Sequence, residues 1–271
     1  MYLNYYGLSE YPFHVTPDPR FMCWTAQHRE ALEHVLYGVR ERKGFIALTG
    51  EVGTGKTTLC RACLVRLGDD VETALVLNPT LTETQFLRAI ANDFGITLEN
   101  KDRLSCLEAL NAFLLDRNKA GRNVALFIDE AQNLSSAVME QVRLLSNLET
   151  DRHKLIQIIL CGQPELKKRL DRPGLRQLRQ RIAVRYRIAE LDAWDTARYI
   201  LHRIAVASNG TPSKVRFSDE AFRMVYSYSK GSPRVINAVA DNALLAGYVE
   251  QSMVIGEECV RRAIRQIEGD E

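Results

Sequence analysis

Gly50-Glu51-Val52-Gly53-Thr54-Gly55-Lys56-Thr57 follows the pattern G-x-x-x-x-G-K-[ST] in full. The chemistry this spacing implies is the binding of phosphate. Gly50, Gly53 and Gly55 are read as the residues that let the backbone turn, so that several N–H groups face phosphate oxygens. A helix expected to start near Lys56 adds the partial positive charge of its N-terminus. The Lys56 ammonium then reaches the β- and γ-phosphates of a nucleotide such as ATP, and Thr57 offers its hydroxyl to Mg²⁺. Thr58, next in the helix, is counted among the binding residues with the loop itself. A chance Gly-rich turn would not carry the whole pattern between a strand and a helix.

A second group follows 70 residues on. Val124-Ala-Leu-Phe-Ile-Asp129-Glu130 is an apolar run that ends in two carboxylates. In open α/β sheets, ligands bind beyond the carboxyl ends of the strands. Asp129 is therefore the candidate carboxylate for a Mg²⁺ held by Thr57, and Glu130 the candidate base for an attacking water. The next strand, Leu-Ile-Gln-Ile-Ile-Leu-Cys-Gly, runs out at Gln163, whose amide is read as a sensor of the γ-phosphate or of the water. Pro164 fixes the exit turn.

Basic residues are dense between Glu165 and Arg187: Lys167, Lys168, Arg169, Arg172, Arg176, Arg179, Arg181, Arg185 and Arg187. A solvated face is the plain account of such a run. A sharper one is a guanidinium that completes the site of a neighbouring subunit, and a third is contact with a polyanion. Arg181, directly before the last strand, is the first choice for the finger, with Arg179 and Arg176 in reserve. Further on, Gly231-Ser-Pro-Arg234 opens a helix, with Pro233 in its first turn and Ser232 expected as its cap. Arg234 is read as a group of the same chain that grips the γ-phosphate and couples hydrolysis to lid movement.

The elements that must place these residues can be read from periodicity. Ala26–Glu41 has helical apolar spacing, and Gly-Phe-Ile-Ala-Leu-Thr-Gly then reads as a strand buried on both faces. Strand-like runs recur at 73–77, 124–128, 155–160 and 183–188, with helical patterns between them. That alternation predicts an α/β fold with about five parallel strands. After Leu191 the strands stop, and 196–208, 219–229, 234–249 and 257–267 read as helices, with Ser218 as an N-cap. Residues 1–190 are thus read as an N-terminal arm plus a phosphate-loop domain, and 191–271 as a smaller all-helical lid.

Composition narrows the class. Of 271 residues, 46% are hydrophobic and 26% charged, and the formal net charge is +2, which argues against a dedicated nucleic-acid coat protein. The N-terminus lacks the basic start and apolar core of a signal peptide, and the longest apolar runs are strand-sized. The six cysteines are read as reduced thiols of a cytoplasmic protein, and the Cys60/Cys63 spacing as packing rather than metal binding.

Together the phosphate loop, Asp129-Glu130, Gln163, an arginine before the last strand and G-x-P-R in a helical lid resemble the AAA+ ATPases. That resemblance implies a sheet in the order 5-1-4-3-2, a helical lid, and a homo-oligomer, a hexamer-like ring or filament with shared sites. The opening stretch, from Met1 to the phosphate loop, is similar to the ATPase domain of the ExeA family (general secretion pathway protein A), with relatives in pilus biogenesis and exosortase-linked systems. This implies a partner from an envelope secretion or pilus machine, met at the cytoplasmic face of the inner membrane. It also implies that the segment around Thr16–Phe21 and the helix after it line the adenine site, which would involve Phe21 and His28. ExeA itself continues into a membrane span and a peptidoglycan-binding domain. The residues here are therefore expected to be a soluble relative or the cytoplasmic part, and peptidoglycan binding is not assigned to them. The competing reading is a DNA-associated regulator of transposition of the TnsC or TniB type, motivated by the arginine cluster. It is disfavoured by the low net charge and the lack of a recognisable helix-turn-helix. A third reading is a nucleotide-gated scaffold that does not hydrolyse, against which Lys56, Asp129 and Glu130 are all intact.

Overall fold

Five short apolar runs form one parallel sheet, and the degree to which each is apolar matches its place in it. The computed structural model describes residues 1–14, 18–77, 80–150 and 153–269. In chain order the elements are α1 (Tyr2–Tyr6), α2 (Ala26–Arg40), β1 (Phe45–Gly50), α3 (Lys56–Leu67), β2 (Val71–Val76), α4 (Glu83–Asp93) and α5 (Arg103–Lys119). There follow β3 (Asn123–Ile128), α6 (Ser136–Leu145), β4 (Gln157–Gly162), α7 (Pro164–Leu170), α8 (Arg176–Arg181) and β5 (Ile182–Ile188). The last elements are α9 (Ala193–Ala207), β6 (Arg216–Phe217), α10 (Asp219–Ser229), α11 (Pro233–Val249), β7 (Val254–Ile255) and α12 (Glu257–Glu268).

By their contacts the residues form two compact units. One holds Ala26–Gly50 and Leu59–Ile188. Its strands run in the order β2-β3-β4-β1-β5, every neighbouring pair parallel, which is the expected 5-1-4-3-2 read from the other edge. Every residue of β3 and of β4 is buried, as a strand covered by helices on both faces requires. The edge strands β2 and β5 instead alternate in exposure, and in β5 Arg185 and Arg187 point to solvent. Phe127, Ile158 and Leu160 are fully hidden, and each such side chain contributes about 1.5–3 kcal/mol. β4 begins at Gln157, two residues later than the apolar run suggests, because it enters the ladder there, opposite Ala125. The sheet's function is to bring the last residues of β1, β3 and β4 to one edge. Ala47, Leu160 and Ile128 stand at one level, and beyond it Thr49 pairs with Gly162 while β3 gives way to Asp129 and Glu130.

The other unit holds Met1–Thr25, Glu51–Thr58 and Ala189–Glu271. Its core gathers apolar side chains of α9, α10, α11 and α12 around Tyr6 and Ile255. The tyrosines of α1 are structural. Tyr6 donates its hydroxyl to the Leu244 and Ser252 carbonyls at 3.1 and 3.2 Å, and Tyr2 donates to Asp241. Arg203 of α9 is buried and donates to the Pro12 and His14 carbonyls, which secures the arm. Ser218 caps α10 as expected, accepting from the Ala221 N–H at 3.2 Å. α9 starts three residues before the expected 196, because Asp192 accepts from the Asp195 N–H at 2.7 Å and caps it. The part after 191 is not all helical. β6 and β7 pair in parallel over two residues each, too short a run to leave a periodicity.

Candidate active site

β1 ends at Gly50 and α3 begins at Lys56, so the phosphate-loop motif spans the expected strand–loop–helix passage. Gly53 and Gly55 both have φ of 83°, a conformation that only glycine adopts freely. Gly50 does not share that role. It is the last ladder residue of β1, opposite Ile188, and is absent from the left-handed positions among the described residues. Within the loop the Glu51 carbonyl accepts from the buried Lys56 ammonium at 2.7 Å, from the Thr54 hydroxyl at 2.8 Å and from the Thr54 N–H at 3.3 Å. Thr57 and Thr58 are half-buried in the first turn of α3, while Val52 at the loop tip is exposed.

The same unit brings Arg234 to this loop. A Cβ at Gly53 would lie 2.9 Å from Arg234 Cβ and 3.1 Å from its nitrogen. Arg234 is the second residue of α11 and is exposed, and no hydrogen bond or ion pair engages its guanidinium among the described residues. Ser232, expected to cap α11, makes no side-chain cap bond there. Pro233 at the first position removes one N–H that would otherwise need a partner, so the demand on a cap is smaller. The approach to α11 is held differently. Gly231, at φ 80°, lies so close to Leu191 that a Cβ would fall 1.8 Å from the Leu191 carbonyl oxygen.

In the sheet unit, Asp129 and Glu130 follow β3 directly. Asp129 is 2% exposed, and its Oδ1 accepts from the Glu130 N–H at 2.9 Å. Glu130 is left-handed, φ 49° and ψ 37°, a strained choice for a residue with a side chain. Its Oε2 accepts from the Gln163 Nε2 at 3.2 Å and from the Gln132 Nε2. The structure thus joins Glu130 to Gln163, and adds Gln132, which motif and periodicity had not singled out.

The chain is 41% identical over 270 residues to general secretion pathway protein A of Aeromonas hydrophila, covering 99% of this chain and 49% of that protein. The AAA domain family matches residues 39–170. The chain belongs to the AAA+ domains of the secretion protein A family. It spans about half the length of that curated relative. Among solved structures, the Aeropyrum pernix ORC2 protein in its ADPNP-ADP complexes superposes with a TM-score of 0.67 at 17% identity, covering 95% of this chain and 72% of that one. Cdc6p of Pyrobaculum aerophilum gives 0.67 at 16% identity, covering 94% of this chain and 70% of that one. The Thermotoga maritima RuvB Holliday junction branch migration motor gives 0.55 at 19%, covering 88% and 69%. These three establish the fold.

For this secretion protein A domain, the arginines divide by what holds them. Arg181 ends α8 directly before β5, as expected, and donates to the Ser146 Oγ at 2.9 Å and to the Asn147 Oδ1. Arg179 pairs with Asp171 at 3.3 Å. Arg176 is exposed and has no hydrogen bond or ion pair among the described residues. Phe21 is buried beneath the Arg203 guanidinium, 4.8 Å from its ring centre, and His28 is buried in α2. Thr16, expected at the adenine site with them, lies outside the described residues. Cys60 and Cys63 are buried in α3, and the Cys60 and Cys161 sulfurs are 2.9 Å apart. The contact with Cys60 and burial push the Cys161 thiol up, and burial pushes up Cys63, so these thiols stay protonated and serve as packing. Among the described residues no helix is long and apolar enough to cross a membrane.

Proposed function

We propose that this AAA+ domain binds ATP with Mg²⁺, hydrolyses it, and works as a homo-oligomer in the assembly of an envelope secretion or pilus system. The observation that carries the reading is the phosphate loop with its two left-handed glycines, leaving the same sheet edge at which β3 delivers Asp129 and Glu130. Backbone N–H groups of 51–57 receive the phosphates, and Lys56 exchanges the Glu51 carbonyl for phosphate oxygen. Thr57 and Asp129 both offer oxygen, the donor a hard cation takes, and would be the residues to hold Mg²⁺. Bound there, Mg²⁺ would neutralise charge on the phosphate oxygens.

Glu130 takes a proton from the attacking water, and Gln163 orients that water. Arg234, held beside the phosphate loop, faces the charge that spreads over the γ-phosphate, so the helical part from 191 onward serves as a lid. Arg181 of a neighbouring copy supplies the second guanidinium. The role in secretion rests on the likeness to general secretion pathway protein A. On this reading the domain works in the cytoplasm, at the inner-membrane face, and releases ADP.

Phosphate release tests the chemistry. Turnover should need Mg²⁺ and disappear in Lys56→Ala and Glu130→Gln, the second still binding ATP and remaining assembled. Wild-type turnover in Glu130→Gln would remove Glu130 from the base role. A crosslinked pull-down from cells tests the client, and recovery of no envelope component would count against it.

A second reading is a DNA-associated regulator of the transposition type. It is favoured by the exposed Lys167, Lys168, Arg172 and Arg176 on and between α7 and α8. Net charge speaks against it, and absence of duplex binding at physiological salt would exclude it.

A further inference from the structure

Gln132 lies two residues beyond Glu130, in the single turn Ala131–Asn133, and its amide is used at both ends. Its Oε1 accepts from the Gln163 main-chain N–H at 3.0 Å, and its Nε2 donates to the Glu130 Oε2. The two ends are not interchangeable. A backbone N–H can only donate and a carboxylate only accepts, so the network itself fixes which way the amide points. The main chain of Gln132 is held too, because Arg169 donates to its carbonyl. β4 makes room for the side chain. A Cβ at Gly162 would stand 2.7 Å from Gln132 Oε1, so glycine is the residue that admits the amide.

The result for Glu130 is asymmetric. Oε2 receives both Gln132 and Gln163, and no hydrogen bond reaches Oε1 among the described residues. We infer that Gln132 is a positioning residue for hydrolysis, which ties down one oxygen of the Glu130 carboxylate so that the other faces the attacking water. The inference rests on the reading of Glu130 as the base. It also accounts for the left-handed backbone at Glu130. That conformation is strained in a residue with a side chain, and the Gln132, Gln163 and Asp129 contacts offset the strain. A turn residue that only packed would need neither an oriented amide nor a glycine opposite it.

The test uses the whole chain, with kcat and the KM for ATP measured separately. Gln132→Leu removes both amide ends and should lower kcat by about 10²-fold, the usual result of a displaced catalytic group, with KM unchanged. Gln132→Asn keeps the amide but is one methylene too short, and should fall in the same direction. It decides the matter if the leucine variant does not fold. Gly162→Ala leaves Gln132 chemically intact and should reproduce the kcat loss by displacing it.

A wild-type kcat in Gln132→Leu, or a KM that rises in step with the kcat loss, would overturn the inference. If the wild-type chain releases no phosphate, or Glu130→Gln turns over normally, the reading of Glu130 falls first. If Glu130→Gln is inactive while the Gln132 variants are normal, only the positioning role falls.

Discussion

Gly53 makes two demands at once. Its φ of 83° excludes an ordinary side chain, and Arg234 stands where a Cβ would go. Gly53→Ala should therefore weaken ATP binding by about 1–2 kcal/mol, roughly tenfold, from the left-handed strain alone. Isothermal titration of the Glu130→Gln form, which holds ATP without consuming it, reads this directly. An unchanged affinity would mean that the nucleotide-bound loop has another conformation at this residue. The spacing of Gly53, Gly55, Lys56 and Thr57 made most of this legible in the sequence, because the motif is local and each of these residue types has a steric or charge reason, whereas Gly50 was expected to turn the chain and instead closes β1. Gln132 and Gly162 were not legible. Their contact spans some 30 residues of chain, and neither residue type is unusual where it stands. Glu130 also gave no local sign of its left-handed backbone, since the strain is set by tertiary partners rather than by its neighbours in sequence.

At the scale of elements, β1 and β3 were legible because unbroken apolar runs of strand length suit a strand buried on both faces of a parallel sheet, and β4 because Gln157 alone interrupts its run. β5 was legible only as a strand-like run at 183–188; its place at the edge came with the resemblance, and its exposed Arg185 and Arg187 fit that edge. β6 and β7 left no signal, because two residues carry no period. The junction before α11 was misread. Ser232 was expected to hold it, whereas the position is set by Gly231 closing on Leu191, whose N–H donates to the Gly231 carbonyl at 3.0 Å. Gly231 and Gly210 share φ of 80°, but a Cβ at Gly210 meets nothing within 4 Å. Gly210→Ala should therefore cost only the strain, about 1–2 kcal/mol. Gly231→Ala adds an impossible contact with backbone and should cost more than about 3 kcal/mol, moving α11 and with it Arg234. Chemical denaturation of both variants checks this. Equal losses would show that the Leu191 contact is easily relaxed and does not hold the start of α11.

For the whole molecule, the proposed assembly predicts how one copy would complete another. Arg181 is a finger candidate by its place before β5, but in the single chain its guanidinium is already engaged by Ser146 and Asn147. Serving a neighbour would cost those bonds, about 1 kcal/mol each, so contacts of Arg181 with the neighbour's nucleotide must offset them on assembly, while the unassembled chain keeps the arginine stowed. Arg176 is not engaged in this way and would need no release, which makes it the sharpest rival. Mixing experiments separate the two. Arg181→Ala should bind ATP normally and lose turnover only at concentrations where the chain assembles. Adding Lys56→Ala, inactive by itself but carrying an intact Arg181, should restore part of the rate, because it lends that arginine to the intact phosphate loop of an Arg181→Ala neighbour. Ser146→Ala with Asn147→Ala should then lower the concentration at which wild-type turnover appears, since the stowed state loses its bonds. If Arg176→Ala is the variant rescued and Arg181→Ala is not, the finger is Arg176. In that case the Ser146 and Asn147 contacts are a fixed brace for the start of β5.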